Sequence, residues 1–510
     1  MKARHVTMFV VHKLIRTFRL MWQDSPMAGE QLVRGSFVLV VGRLAIKAVQ
    51  FVRTIVLAHL LFPEDFGLFG LAALSLGVMD LFLQPGFYAA LIHERGDPHQ
   101  YLDTVWSGQI MRNTFIGALV FFVAPLLGNF FAHPEIVPLT RVLALSLVIA
   151  GFENVGVMFF QKNMQFNRQF FFNMSMVLFE VVTVIIAGFV LRSVWALVIG
   201  AVAYRIGNVL LSYAFHPYRP KFAPKLAHFR HLLRYGKWVS LGAIVGYFVT
   251  QGDNFSVGKL IGPEGLGYYQ AAFALALLPA AEFGRVLGNA LFPAFAKLEA
   301  GRHKEAFTRI SQIIFALTIP ASLGIYALAP DIVHMLYGAR WLPMAPIVSV
   351  LAFYALLRSF EAIGSPFFMG IGKPKVATIA LFLQCLSMAI LLPLLLTKFS
   401  TVGAAWAMLG SGCVSALVYI VALYREKLLD MGGIFQLITA PLFSGLIMII
   451  VIGAAKTFVP IQNIFALLCY VGFGGLVYFL VLWCADTLGK GQIFTHFQWV
   501  RARVWPKKYL

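Results

Sequence analysis

Apolar stretches of bilayer-crossing length follow one another along almost the whole chain. A spanning helix needs about 20 mostly apolar residues. Such stretches lie near 35–58, 65–92, 105–128, 138–160, 169–191, 194–215, 238–258, 265–292, 310–334, 343–370, 376–397, 401–424, 434–455 and 462–484. Proline and glycine mark many junctions, as at Phe62-Pro63, Gly262-Pro263 and Lys373-Pro374. The pattern predicts an all-α integral membrane protein with about fourteen transmembrane helices. Residues 8–22 differ. Phe9, Leu14, Ile15, Phe18 and Trp22 alternate with Lys13, Arg16 and Arg19, which reads as a basic amphipathic helix on the membrane surface. Translation from Met27 is the alternative reading of this stretch.

Composition agrees. The 510 residues are 60% hydrophobic and 12% charged, with a mean hydropathy of +0.81. Soluble domains carry about 25% charged residues. The net charge of +20 sits in short loops and not on polar, foldable segments, so it argues for topology and against nucleic acid. Placing the N-terminus in the cytoplasm puts 28 of the 41 basic residues in cytoplasmic segments and 5 in the opposite loops. The opposite-side five are Arg192, Lys259, Arg340, Lys398 and Lys456. The positive-inside rule therefore places both termini in the cytoplasm. Cys385, Cys413, Cys469 and Cys484 all lie in apolar stretches without metal-ligand spacing. No metal, cofactor, nucleotide-binding or catalytic motif is expected.

The chain also repeats itself. Leu60, Pro63, Glu64, Gly67 and Ala72 recur at an offset of 200 as Leu260, Pro263, Glu264, Gly267 and Ala272. Phe152-Glu153-x-x-Gly156-x-x-Phe159-Phe160 recurs at an offset of 208 as Phe360-Glu361-x-x-Gly364-x-x-Phe367-Phe368. Six spans per copy predict two pseudo-symmetric six-helix lobes that enter the membrane from the same side. The expected organisation is a basic N-terminal segment (1–34), an N-lobe (35–217), a C-lobe preceded by a basic cytoplasmic link (218–425), spans 13 and 14 (426–485) and a basic cytoplasmic tail (486–510).

A charge in hydrocarbon costs at least about 2.5–3.5 kcal/mol, so charges inside spans are functional candidates. Span 1 carries Arg43, Lys47, Gln50 and Arg53. At 100° per residue these four fit one sector of about 120°, a face that predicts a wet, positively charged cavity. Snorkelling could rescue Arg43 or Arg53, which lie about 15 Å apart along the axis, but hardly Lys47. Arg205 and Arg285 are further in-span cations. The acidic candidates for ion coupling or for bracing are Asp80, Glu153, Asp253 and Glu361, of which Glu153 and Glu361 are repeat equivalents.

The stretch Leu60-Leu61-x-Pro63-Glu64-Asp65-Phe66-Gly67-Leu68 and its echo Leu260-Ile261-Gly262-Pro263-Glu264-x-x-Gly267-Tyr268 resemble the polysaccharide transporter family. The basic first span and the Lys/Arg-rich link at 216–237 fit the same resemblance. That family belongs to the multidrug/oligosaccharidyl-lipid/polysaccharide flippase superfamily, with the lipid II flippase and the multidrug/toxin extruders. The resemblance implies a flippase that moves polyprenyl-pyrophosphate-linked oligosaccharide repeat units across the bacterial inner membrane for O-antigen, capsule or exopolysaccharide synthesis. It implies transport by alternating access and no enzymatic activity. Arg43, Lys47, Gln50, Arg53, Arg205 and Arg285 would cradle the pyrophosphate. Membrane lipids, a polysaccharide polymerase and glycosyltransferases would be the partners. A cation-coupled multidrug antiporter is the alternative, though a cationic cavity would repel its substrates. A membrane-embedded glycosyltransferase would require an acidic catalytic cluster or large extramembrane loops, and the sequence offers neither.

Overall fold

The computed structural model describes residues 26–82, 101–163, 165–225, 247, 250–428 and 431–488. The amphipathic stretch near 8–22 and most of the basic tail lie outside them. So do the side chains of Asp80 and Arg285, whose backbones are helical. Among the described residues the regular structure is helical, without a strand. This is the arrangement that satisfies every backbone N–H and C=O within one segment when no water is at hand.

The helices of the first half are α1 (Pro26–Leu60), α2 (Pro63–Phe82), α3 (Leu102–Phe131), α4 (Ile136–Ala150), α5 (Met158–Lys162), α6 (Phe166–Leu191) and α7 (Trp195–Phe215). Next come α8 (250–260), α9 (Pro263–Ala296), α10 (His303–Tyr337), α11 (Ala345–Gly370), α12 (Pro374–Arg425), α13 (Met431–Phe458) and α14 (Ile464–Leu488). Helical residues occur in each of the fourteen predicted intervals. In 65–92 and 238–258 part of the interval lies outside the described residues. Eight described helices are long and apolar enough to cross a membrane, and the bent pair α4–α5 makes nine. One of the eight, α12, has 52 residues and contains Ser400 at φ 54°, ψ −141°. That dihedral breaks α12 into two membrane-length pieces at the predicted junction of spans 11 and 12. Phe122 and Ile450 are 78% and 68% exposed. Such exposure is normal for a surface that faces lipid tails and foreign to one that faces water.

The chain forms two compact units, Met1–Gly267 and Tyr268–Leu510. In the first, α3 pairs with α4 and α6 with α7, α1 lies along α6, and α4 also touches α2 and α7. Leu57, Leu61, Val184 and Leu197 form one of its small cores. Ala72, Leu139, Leu143 and Val198 form another. In the second unit α10, α11 and α12 pack in sequence, while α13 and α14 dock on α10. Phe307, Phe315, Phe360, Phe367, Phe368 and Tyr419 anchor its larger core.

Both copies of the Pro-Glu-x-x-Gly motif turn a helix end into a helix start, with proline at the first helical position, where its missing N–H costs nothing. In the first copy the Asp65 carboxylate closes the turn by accepting from the Phe62 N–H at 2.9 Å. The second copy has Gly262 at φ 99° instead, a left-handed conformation that glycine adopts without strain. The two copies also meet each other. A Cβ on Gly67 would collide with the Pro263 carbonyl, and a Cβ on Gly267 would collide with the Pro63 carbonyl. That reciprocity is the mark of a two-fold contact, and close backbone approach through small residues is how membrane helices associate without a hydrophobic drive. Gly67→Ala or Gly267→Ala should each destabilise the protein by about 1–3 kcal/mol, because the obstacle is backbone and cannot rotate away. Thermal unfolding in detergent checks this against Gly301→Ala, where the added Cβ meets nothing within 4 Å and the midpoint should not move.

Candidate functional site

The four polar residues of α1 divide into two kinds. Arg43 and Lys47 are exposed, while Gln50 and Arg53 are partly buried. Neither Arg43 nor Lys47 has an ion-pair partner among the described residues. Arg53, with 27% of its side chain exposed, donates through Nη1 to the Glu180 carboxylate on α6. The packing of α1 on α6 sets this register. Gly42 abuts Phe170 near one end, and Leu57 and Leu60 abut Gly188 near the other, so the helices run parallel with Arg53 and Glu180 between those contacts. The Arg53 Nε remains buried without a partner.

A second carboxylate approaches from a broken helix. The chain bends by 72° between α4 and the short helical stretch Val155–Lys162, and Glu153 lies in the bend. Asn154 makes the break. Its Oδ1 accepts from the Gly156 N–H at 2.9 Å, the local side-chain bond that competes with helix continuation. Its Nδ2 donates to the Tyr218 carbonyl at 2.7 Å, and its N–H donates to Ser212 Oγ at 3.0 Å. The Gln109 amide reaches the freed carbonyls of Ala150 and Gly151 at 3.2 and 3.3 Å. Glu153 Oε2 then accepts from Asn208 Nδ2 on α7 at 2.8 Å, and Arg205, one turn earlier on α7, is the cation that bears on it. Tyr204 feels Arg205, Glu153 and Glu180 together. The first unit thus holds one cluster with two cations, Arg53 and Arg205, and two carboxylates, Glu153 and Glu180. Asn208 Oδ1 is buried beside it without a partner.

The repeat equivalent behaves differently. Glu361 sits inside the unbroken α11 and takes a 2.7 Å bond from Arg358 three residues earlier. The position matching Asn154 is Ala362, which has no side chain to compete for the backbone. Asp253 on α8 is 2% exposed and accepts from the Asn254 N–H at 2.8 Å.

Sequence reasoning did not foresee the partners. Glu180, Asn208, Asn154 and Gln109 come from segments distant in sequence; Glu180 and Glu153 are legible as in-span acids, but nothing in the sequence joins either to its partner. It also missed the strap that follows α7. Residues 216–225 run along the start of α3, where Asp103 accepts from the Tyr218 hydroxyl and from the Lys221 N–H at 2.9 Å. The Ala223 N–H donates to Ser107 Oγ at 2.9 Å. Burial first, and then the bond to Asp103, push the Tyr218 hydroxyl well above its ordinary range, so it stays a neutral donor.

Comparison with known proteins places this arrangement. A family described as "Polysaccharide biosynthesis protein" matches residues 56–346. The lipopolysaccharide biosynthesis protein WzxC of Escherichia coli (strain K12) is 24% identical over 66% of this chain and 69% of that protein. The succinoglycan biosynthesis transport protein ExoT of Rhizobium meliloti (strain 1021) is 22% identical over 78% of each. Among solved structures, the lipid II flippase MurJ in an inward closed conformation superposes with a TM-score of 0.69. It is 17% identical, and the match covers 86% of this chain and 97% of that one. An inward-facing multidrug resistance transporter of the MATE family gives 0.54 at 17% identity, over 76% of this chain and 98% of that one. At those identities the structural likeness establishes the fold alone, a multi-span helical membrane fold. The family match extends over more than half of the chain, which therefore belongs to the polysaccharide biosynthesis protein family.

Proposed function

We propose that this chain is a flippase that moves polyprenyl-pyrophosphate-linked oligosaccharide repeat units across the bacterial inner membrane, and that it is a transporter and not an enzyme. The relatives whose names describe lipopolysaccharide biosynthesis and succinoglycan transport support this reading, as does the fold shared with a lipid II flippase. The observation that carries it is the pair Arg43 and Lys47, exposed on a membrane helix without counter-ions among the described residues. Arg53 and Arg205 are balanced by Glu180 and Glu153, so the charge left for an incoming ligand is positive. A pyrophosphate diester, anionic on both phosphates, matches it. The alternative, a cation-coupled antiporter, shares the fold but would bring cations to the same uncompensated charges, and fold alone does not decide function.

Arg43 and Lys47 form the centre of the proposed cradle, with Gln50 adjacent, Arg285 as a further cation, and Arg53 and Arg205 as contributors once substrate competes for their carboxylates. Charge-assisted bonds are worth about 1.5–3 kcal/mol each, so the double variant Arg43→Ala, Lys47→Ala should slow flipping by more than about tenfold with normal membrane insertion. Flipping of a fluorescent lipid-linked oligosaccharide by purified protein in liposomes measures this, and an unchanged rate refutes the cradle.

The carboxylates Glu153, Glu361, Asp80 and Asp253 stand as the groups for ion coupling or bracing. Removing one partner of a buried pair costs about 3–5 kcal/mol, whereas replacing both with apolar residues is often neutral. Glu180→Gln should therefore lower stability, and the double variant Arg53→Met, Glu180→Leu should restore it. If that restored protein also flips at the wild-type rate, Arg53 is a brace and has no share in the cradle.

The orientation follows from the basic-residue bias, with both termini cytoplasmic and alternating access by lobes 35–217 and 218–425. Lys225, exposed at the end of the strap, and Lys259, exposed at the end of α8, fall on opposite sides. In a chain with its four cysteines replaced, Lys225→Cys should label only from the cytoplasm and Lys259→Cys only from outside. Labelling of residue 225 from outside overturns the orientation. A polysaccharide polymerase and glycosyltransferases are the proposed partners.

A further inference from the structure

In the second unit α10 and α13 run side by side, touch, part and meet again. They touch where Gly445 faces Leu323; a Cβ there would lie 2.5 Å from the Leu323 Cδ1. They are tied again about two turns further along α10 and three along α13, where Lys456 pairs with Asp331. Between those points, at Gly453, an added Cβ would meet nothing within 4 Å. The gap is a cavity of about 480 Å³ lined by Tyr326, Ala327, Pro330, Ser349, Ile449, Gly453 and Lys456. That volume lies within the range of about 300–1,000 Å³ typical of small-ligand sites. Pro330 inside α10 lines the gap and cannot donate to the carbonyl four residues back. That carbonyl is on Tyr326, itself a cavity residue.

The polar groups of this cavity are of both signs and close together. Lys456 and Asp331 are part-exposed, at 29% and 20% of their side chains. The Tyr326 ring packs at a tilt against Phe353, with ring centroids 5.0 Å apart. Ser349 adds a second hydroxyl, anchored on the Ala345 carbonyl at 3.1 Å. Donors for a phosphate (the Lys456 ammonium and the Tyr326 hydroxyl) therefore adjoin acceptors for an ammonium (the Asp331 carboxylate, the Tyr326 carbonyl and the Ser349 hydroxyl oxygen). Apolar walls at Ala327 and Ile449 continue onto the lipid-facing surface of α13, where Ile450 is exposed.

We propose that the gap between α10 and α13 is a binding site for a zwitterionic aminophospholipid, whose phosphate is held by Lys456 and the Tyr326 hydroxyl and whose primary ammonium is held by Asp331 and the Tyr326 carbonyl. An anionic head group brings no cation to the Asp331 carboxylate. A quaternary ammonium has no N–H to donate to the carboxylate or the carbonyl. The lipid fills the gap at Gly453 and so secures α13 on α10. The site shares no residue with the Arg43–Lys47 face, and it stands whether or not this chain flips oligosaccharides.

The experiment uses the full-length protein, purified and delipidated in detergent. The probes are short-chain phosphatidylethanolamine, phosphatidylcholine and phosphatidylglycerol, together with free phosphoethanolamine. Native mass spectrometry should show phosphatidylethanolamine retained at least about tenfold better than the other lipids, a difference of about 1.4 kcal/mol. It should also raise the unfolding midpoint, and free phosphoethanolamine should do neither. Gly453→Leu fills open space and should leave the lipid-free midpoint in place while abolishing retention. The paired variant Lys456→Met, Asp331→Leu should keep lipid binding but lose the head-group preference. Equal retention of the three lipids by the wild-type chain, a preference for phosphatidylglycerol, stabilisation by free phosphoethanolamine alone, or undiminished retention by Gly453→Leu would each overturn the proposal.

Discussion

A charged side chain surrounded by hydrocarbon must find a counter-charge, a hydrogen-bonding neighbour or water, because the solvation it has lost is not replaced by lipid. The interior of the first unit is organised by that constraint. Arg53 and Arg205 arrive on α1 and α7, Glu180 and Glu153 arrive on α6 and on the break after α4, with Arg53 paired to Glu180 and Arg205 acting on Glu153. The packing of α1 along α6 and of α4 against α7 brings them together. Arg43 and Lys47, which share the polar face of α1 with Arg53, are left outside the balance. The functional reading depends on that difference, since a face with all its charges neutralised would have nothing for an anionic head group.

The same constraint explains the irregular backbone. A helix that breaks inside a membrane frees carbonyls and N–H groups that must be satisfied by protein. At the break after α4, Gln109 covers the carbonyls of Ala150 and Gly151 while Asn154 bonds to Gly156, Ser212 and Tyr218. The break therefore links α3, α7 and the strap 216–225 in one network, with Glu153 carried at its centre. In the other copy of the motif, Ala362 leaves the helix whole and Glu361 is paired within its own turn. A single residue difference between copies has given the two halves different local chemistry on a common plan.

Small residues do the corresponding work for packing. With no hydrophobic drive between helices in lipid, close backbone approach supplies dispersion contacts. The crossing of Pro63 and Gly67 with Pro263 and Gly267 is the tightest example. Both copies of one sequence motif take part, so selection on the motif acts on both sides of the contact at once. In the second unit Gly445 permits close approach of α13 to α10.

The sequence by itself determined the class of the protein, the intervals in which helices run, the family and the positions of the repeated motifs. Those properties are local: hydrophobicity over about 20 residues fixes a spanning helix, and proline and glycine fix its ends. It also placed Arg43, Lys47, Gln50 and Arg53 on one helix face, because that follows from a 100° step alone. Only the tertiary structure decided which of those charges are balanced. Arg53 and Glu180 are 127 residues apart, and Asn208 and Glu153 are 55 apart. Whether they meet depends on which helices pack together and in what register, and periodicity carries no information on either. The break at Glu153 was likewise hidden. Asn154 disrupts a helix only where Ser212, Tyr218 and Gln109 stand ready to satisfy the groups it exposes, and those partners are assembled by the fold.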